Sequence, residues 1–182
     1  MPSPSKEDEV LELILENSPL KRWHFTEILK KANITKASLN KWLDKYLQEG
    51  ILKKVKEKGK FPYFTAGENN TAYLSRKKQY MLDKLYKSGF IRHLLSIDAE
   101  TIIIFGSTVR GDWYKNSDID VFIYKAKKNI QKTGYEKGLK KEIEIHLFKN
   151  KKEINQVKTG LIKNIVDGYV VKGSIKDIMA VN

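Results

Sequence analysis

Apolar positions recur along this chain with two different periods, helical in the first half and alternating or continuous in the second. Over 5–17, Val10, Leu11, Leu13, Ile14 and Leu15 fall at helical spacing behind Glu7, Asp8 and Glu9, whose charges favour the positive end of a helix dipole. A second helix is expected over 24–31 with Phe25, Ile28 and Leu29 inward. A third is expected over 36–48 with Leu39, Trp42, Leu43, Tyr46 and Leu47 inward. Thr35 is placed to cap that third helix, and Glu49-Gly50 to end it. Segments 51–55 and 61–65 read as two strands around the charged turn Lys56-Glu57-Lys58-Gly59-Lys60. A long helix follows over 68–96, with a break or kink expected at Ser88-Gly89.

Beyond it the period changes. The run Thr101-Ile102-Ile103-Ile104-Phe105 is short, apolar and stopped by Gly106-Ser107, as in a buried strand that ends in a tight turn. Asp118-Ile119-Asp120-Val121-Phe122-Ile123 alternates before becoming wholly apolar, so a second strand carries both aspartates on one face at its leading end. Over 140–148, Glu142, Glu144 and His146 share one face and Ile143, Ile145 and Leu147 the other. A helix is expected over 152–168, a short strand over 169–172 and a last fragment over 175–180.

Chemistry enters at Gly106. Glycine lets the backbone approach a ligand closely, and the Ser107 hydroxyl with nearby N–H groups is suited to phosphate oxygens. Two carboxylates one strand repeat apart, roughly 6.5–7 Å along the chain, can bridge a pair of divalent ions about 3.5–4 Å from each other. Magnesium suits them, because it prefers oxygen and shares its coordination with substrate phosphates. Either piece alone is common: Gly-Ser is usually a turn, and Asp-x-Asp a solvated strand end. Their ordered combination is much rarer.

Those residues resemble the signature of the DNA polymerase β-like nucleotidyltransferase superfamily, most closely its minimal nucleotidyltransferase branch. Phe105, Gly106, Ser107, Asp118, Ile119 and Asp120 fill the family pattern in order, and Arg110, Gly111 and Ser117 supply the residues that the branch favours between. The resemblance covers about 97–172. It implies Mg²⁺-dependent nucleotidyl transfer with two ions, from a nucleoside triphosphate, ATP being the expected one, to a hydroxyl. Asp118 and Asp120 would be metal ligands, with a third carboxylate on a neighbouring strand. Glu144 is favoured for that place, central in its strand, and Glu142 is the reserve. Gly106, Ser107, Arg110 and Ser117 would bind the nucleotide. Arg110 has an alternative as a surface residue packed over Trp113 or Tyr114, and His146 is read as structural.

The first three helices and the strand pair resemble a winged helix-turn-helix domain. That likeness implies contact with double-stranded DNA through Lys36, Ser38, Asn40 and Lys41 on the third helix and Lys56, Lys58 and Lys60 on the wing. Docking to a protein is the other use of that fold.

The expected organisation is therefore an α+β chain: a winged helix-turn-helix over 1–66, a helical connector over 67–96, and a small mixed β-sheet nucleotidyltransferase domain with flanking helices over 97–182. Two function classes follow, a targeted transferase or a DNA-binding regulator whose transferase-like domain senses nucleotide or mediates assembly. The family also suggests a small helical HEPN protein as a partner, and a homodimer is compatible.

Composition adds three points. A formal net charge of +13 over 182 residues calls for a polyanionic partner, although heavy Lys, Glu and Ile use also fits thermal adaptation. The absence of cysteine excludes disulfides and thiolate zinc sites. No apolar run approaches a membrane span, and the acidic N-terminus is unlike a signal peptide, so a cytoplasmic, membrane-free protein is expected.

Overall fold

The computed structural model describes residues 5–66, 70–127 and 130–179. The chain divides into two compact units, 1–77 and 78–182, and the division falls inside a helix.

In the first unit, α1 (Lys6–Leu15) starts at a capping box: Ser5 Oγ accepts the Asp8 N–H while the Asp8 carboxylate accepts the Ser5 N–H. Next comes α2 (Phe25–Ala32), and Asn33 in the left-handed region ends it. The third helix, α3 (Lys36–Gln48), is capped by Thr35, whose hydroxyl accepts from the Ser38 N–H. Val10, Leu11, Ile14, Ile28, Leu39, Leu43 and Tyr46 are buried, as helical spacing requires. The strands β1 (Lys53–Val55) and β2 (Tyr63–Thr65) pair antiparallel, and Trp23 bridges to Phe64 as a further rung. Both strands are shorter than expected; β1 starts late because Ile51 and Leu52 are buried beside the helix end, where their N–H groups bond the Tyr46 carbonyl.

The expected helix over 68–96 is two helices, α4 (Thr71–Lys87) and α5 (Phe90–Ser96); residues 68 and 69 lie outside the described residues. Gly89 separates them at φ +80°, a conformation that L side chains rarely adopt.

The second unit is built on a four-stranded sheet in the order β5-β4-β3-β6. Its strands are β3 (Thr101–Phe105), β4 (Ile119–Tyr124), β5 (Ile143–Phe148) and β6 (Tyr169–Lys172). Central β3 runs antiparallel to β4 and β6, and β4 is parallel to β5. Every residue of β3 is buried, which explains its unbroken apolar run. The other helices are α6 (Ser107–Arg110), α7 (Thr133–Leu139), α8 (Lys151–Asn155), α9 (Thr159–Val166) and α10 (Ile175–Met179). One sheet face packs Ile103, Phe105, Phe122 and Tyr124 against Ile154, Ile165 and Ile178 of α8, α9 and α10.

Two expectations change here. The strand expected over 140–148 starts only at Ile143, because Lys140 takes a left-handed conformation at the end of α7. The single helix expected over 152–168 is interrupted at 156–158, where Gln156 ends a first short helix and Lys158 opens a second. Helix α7, in a stretch for which no element was expected, makes the crossover that parallel strands β4 and β5 require. Ala180, placed in the last fragment, lies outside the described residues.

Candidate active site

Strand register assembles the site. Asp120 stands opposite Phe105 on β3 and opposite Glu144 on β5, and His146 follows two residues along, opposite Phe122. Alternation puts all of them on the face that carries the Phe105 and Phe122 core, so the polar cluster caps an apolar layer. Asp120, Glu144 and His146 each offer a ligand atom within 4.8 Å of the others. His146 Nε2 lies 3.5 Å from Glu144 Oε1 and 3.7 Å from Asp120 Oδ1. The Asp120 and His146 side chains are 24% and 20% exposed and that of Glu144 60%, so Glu144 is the member that reaches solvent. Burial raises the Asp120 carboxyl above its usual range; His146 opposes the shift, while the charges of Glu144 and Asp118 add to it.

Asp118 lies one residue ahead of β4, exposed, and its field reaches Asp120. It falls outside the Asp120, Glu144 and His146 group. Glu142 is likewise exposed, just ahead of β5, and its carbonyl accepts the Ile119 N–H at 2.9 Å.

Gly106 adopts φ +74° and ψ −149° between β3 and α6. A Cβ there would collide with Asp120 Oδ2 and stand 3.1 Å from its Cγ, so only glycine lets the turn pass this close to the carboxylate. The turn and the aspartate are thus packed together although fourteen positions separate them in sequence. Ser107 opens α6, and Thr108 Oγ1 behind it is buried without a hydrogen-bond partner.

The loop between α6 and β4 is knitted from within. Ser117 Oγ accepts the Tyr114 N–H at 2.8 Å, and the Ser117 N–H returns to the Tyr114 carbonyl at 3.0 Å. Lys141 is 7% exposed, and its Nζ donates to the carbonyls of Tyr114, Lys115 and Ser117 at 2.6, 3.0 and 3.2 Å. Trp113 is buried beneath, 5.2 Å from that ammonium and stacked on Tyr80 at 6.2 Å. Arg110 is half exposed; its Nε donates to Asp112 Oδ2 at 3.1 Å and its Nη1 to Asn164 Oδ1 at 3.5 Å, in place of packing over an aromatic ring.

A family-wide comparison matches residues 88–178, half the chain, to the nucleotidyltransferase domain. The chain belongs to that family. The match starts at Ser88 and so takes in α5 with the whole sheet, including Gly106, Asp120 and Glu144. Comparison with curated proteins and with solved structures gives no match. Nucleotidyltransferase domains in general take a nucleoside triphosphate and a divalent metal, and the Asp120, Glu144 and His146 donors fit such an ion.

Two residues of the nucleotidyltransferase site escaped the sequence reading. His146 was visible on the Glu144 face, but sequence does not show that its Nε2 is enclosed and unpartnered. Lys141 carries no signal among the chain's 35 Lys and Arg residues; its burial against the carbonyls of the loop ahead of β4 is what sets it apart.

In the first unit, Lys36, Asn40 and Lys41 are exposed on α3, while the Ser38 hydroxyl is engaged by Thr35 Oγ1 at 2.9 Å. On the hairpin Lys56 and Lys58 are exposed, and Lys60 pairs with Glu57 at 2.5 Å. Among the described residues no helix is long and apolar enough to cross a membrane.

Proposed function

We propose that this nucleotidyltransferase moves a nucleoside monophosphate from a nucleoside triphosphate, ATP being the expected one, to a hydroxyl on a protein, nucleic acid or small molecule, with pyrophosphate leaving and the hydroxyl giving up its proton. The observation that carries the reading is the packing of the Gly106 turn against Asp120, with Glu144 directly across the strand. Asp118, Asp120 and Glu144 would hold the divalent ions, with Mg²⁺ accompanying the triphosphate. When bound, such ions neutralise the triphosphate and acidify the attacking hydroxyl.

The remaining work belongs to the chain. Gly106 gives the backbone room to follow the β and γ phosphates, and Ser107 supplies a hydroxyl to them. Arg110, whose side chain is half exposed, would add a planar donor pair. Solvent-reaching Glu144 is suited to accept the proton that the acceptor hydroxyl loses. Lys141 and Ser117 fix the segment ahead of Asp118, so that its carboxylate does not have to be ordered when substrate arrives. The first unit would act as a winged helix-turn-helix that brings the enzyme to double-stranded DNA, through Lys36, Asn40 and Lys41 on α3 and Lys56 and Lys58 on the hairpin.

The test is transfer of label from α-labelled ATP, GTP, CTP or UTP with Mg²⁺ to candidate acceptors. Wild-type protein should label an acceptor, and Asp118→Asn and Asp120→Asn should each lose at least about a hundredfold of that rate. Equal background from all three, together with duplex binding indifferent to both substitutions, would assign the protein to DNA-binding regulation instead.

A further inference from the structure

Nucleotidyl transfer as just described gives His146 no task, yet its position is the least explained in the site. Nε2 is buried and has no hydrogen-bond partner, although two carboxylates stand beside it at 3.5 and 3.7 Å. Leaving a polar atom so enclosed is costly, and a native fold tolerates it mainly where something else supplies the partner. The ring is held in place by Phe105, whose centroid lies 5.2 Å away at a 55° tilt.

Both separations are longer than a good hydrogen bond. They come close to those of donor atoms that share one cation: ligands about 2.1 Å from an ion stand about 3.0 Å apart in a cis octahedral pair and about 3.4 Å apart in a tetrahedral one. We propose that His146 Nε2 is itself a metal ligand beside Asp120 and Glu144, and that this mixed nitrogen–oxygen site selects a divalent transition-metal cation, such as Mn²⁺ or Zn²⁺, over Mg²⁺. Magnesium takes oxygen donors and sheds water reluctantly, whereas imidazole is a good donor to first-row transition ions: Zn²⁺ suits it well, and Mn²⁺, at the low end of the series, still takes nitrogen more readily than Mg²⁺. The inference rests on the proposed transferase site for its two carboxylates and adds the choice of ion, leaving Mg²⁺ as the triphosphate's companion.

Binding can be read without turnover, by titrating the full chain with Mn²⁺ and following the free-ion paramagnetic resonance signal. The titration is run with and without α,β-methylene ATP and repeated with Mg²⁺ as competitor. Wild-type protein should hold Mn²⁺ at least tenfold more tightly than Mg²⁺. His146→Gln should lose about tenfold or more in Mn²⁺ affinity and less than twofold in Mg²⁺ affinity. Equal losses for both ions, no loss, or no cation bound by the wild-type chain would each overturn the proposal.

Should His146→Gln melt early, the native chain gives a second reading. Zn²⁺ should shift the ring-nitrogen resonances of His146 and leave those of His24 and His93 in place, and an unmoved His146 ring would overturn the assignment. Failure of the two readings is distinguishable: Asp120-dependent label transfer with an unselective site removes only the histidine's role. His146-dependent Mn²⁺ binding without label transfer removes only the transferase.

Discussion

Burial holds the Asp120 carboxyl above the ordinary carboxylate range, against the attraction of His146 and with help from Glu144 and Asp118. Because the folded chain then binds that proton more tightly than the unfolded one, the stabilising contribution is complete below the unfolded pKa and is lost as pH rises through the folded value. At neutral pH the metal-free fold carries the whole cost. Asp120→Asn should therefore raise the melting temperature at pH 7, and the gain should vanish below about pH 4, where both states are protonated. Thermal melts at the two pH values check this, and a variant that melts below wild type at pH 7 contradicts it. Gly106→Ala works in the other direction. It forces an L side chain to φ +74° and drives its Cβ into Asp120, so a loss of about 1–3 kcal/mol is expected in urea unfolding. Label transfer should fall with it.

Between the residues and the sheet, the loop before β4 is the element most exposed to a single change. Lys141→Met removes a buried ammonium from three carbonyls, and an unmet charged hydrogen bond is worth about 1.5–3 kcal/mol. The expected outcome is a stability loss of that size in denaturant, faster amide exchange around Tyr114 and Ser117, and slower transfer at unchanged folding below the transition. Native exchange protection in that loop would reduce Lys141 to a packing residue.

Elements also show what was legible in advance. Helix α3 was readable to the residue because Thr35 and Gly50 mark its two ends chemically, and β3 because a wholly buried strand needs no alternation. The interruption at 156–158 was not, since Ile154, Val157 and Leu161 keep helical spacing across it and the nearest glycine, Gly160, falls inside the second helix rather than at the break. Helix α7 was hidden by two glycines in seven residues. In the site, alternation alone fixed which face Glu144 would occupy, whereas enclosure of His146 Nε2 and burial of Lys141 depend on neighbours distant in sequence.

On the scale of the whole chain, a net charge of +13 is carried mainly by solvated lysines, and those of the α1–β2 unit are the ones the proposed DNA contact would use. Lys56 and Lys58 are exposed, while Lys60 is paired with Glu57. Duplex binding measured across salt should weaken for Lys56→Glu with Lys58→Glu, and the slope of log affinity against log salt should flatten by about 2. An unchanged slope would assign the hairpin to protein docking.

The pairing of Asp120 with Phe105 on one side and Glu144 on the other has a final consequence, for how molecules of this protein can fail. A one-residue slip of β5 would put Ile143 or Ile145 beside Asp120 and turn Glu144 toward the opposite face, while pushing apolar side chains out of the core. Misfolding and loss of chemistry are then the same event, and few molecules can be well folded yet wrongly assembled at the site. Counting active sites in a preparation would count its correctly registered sheets.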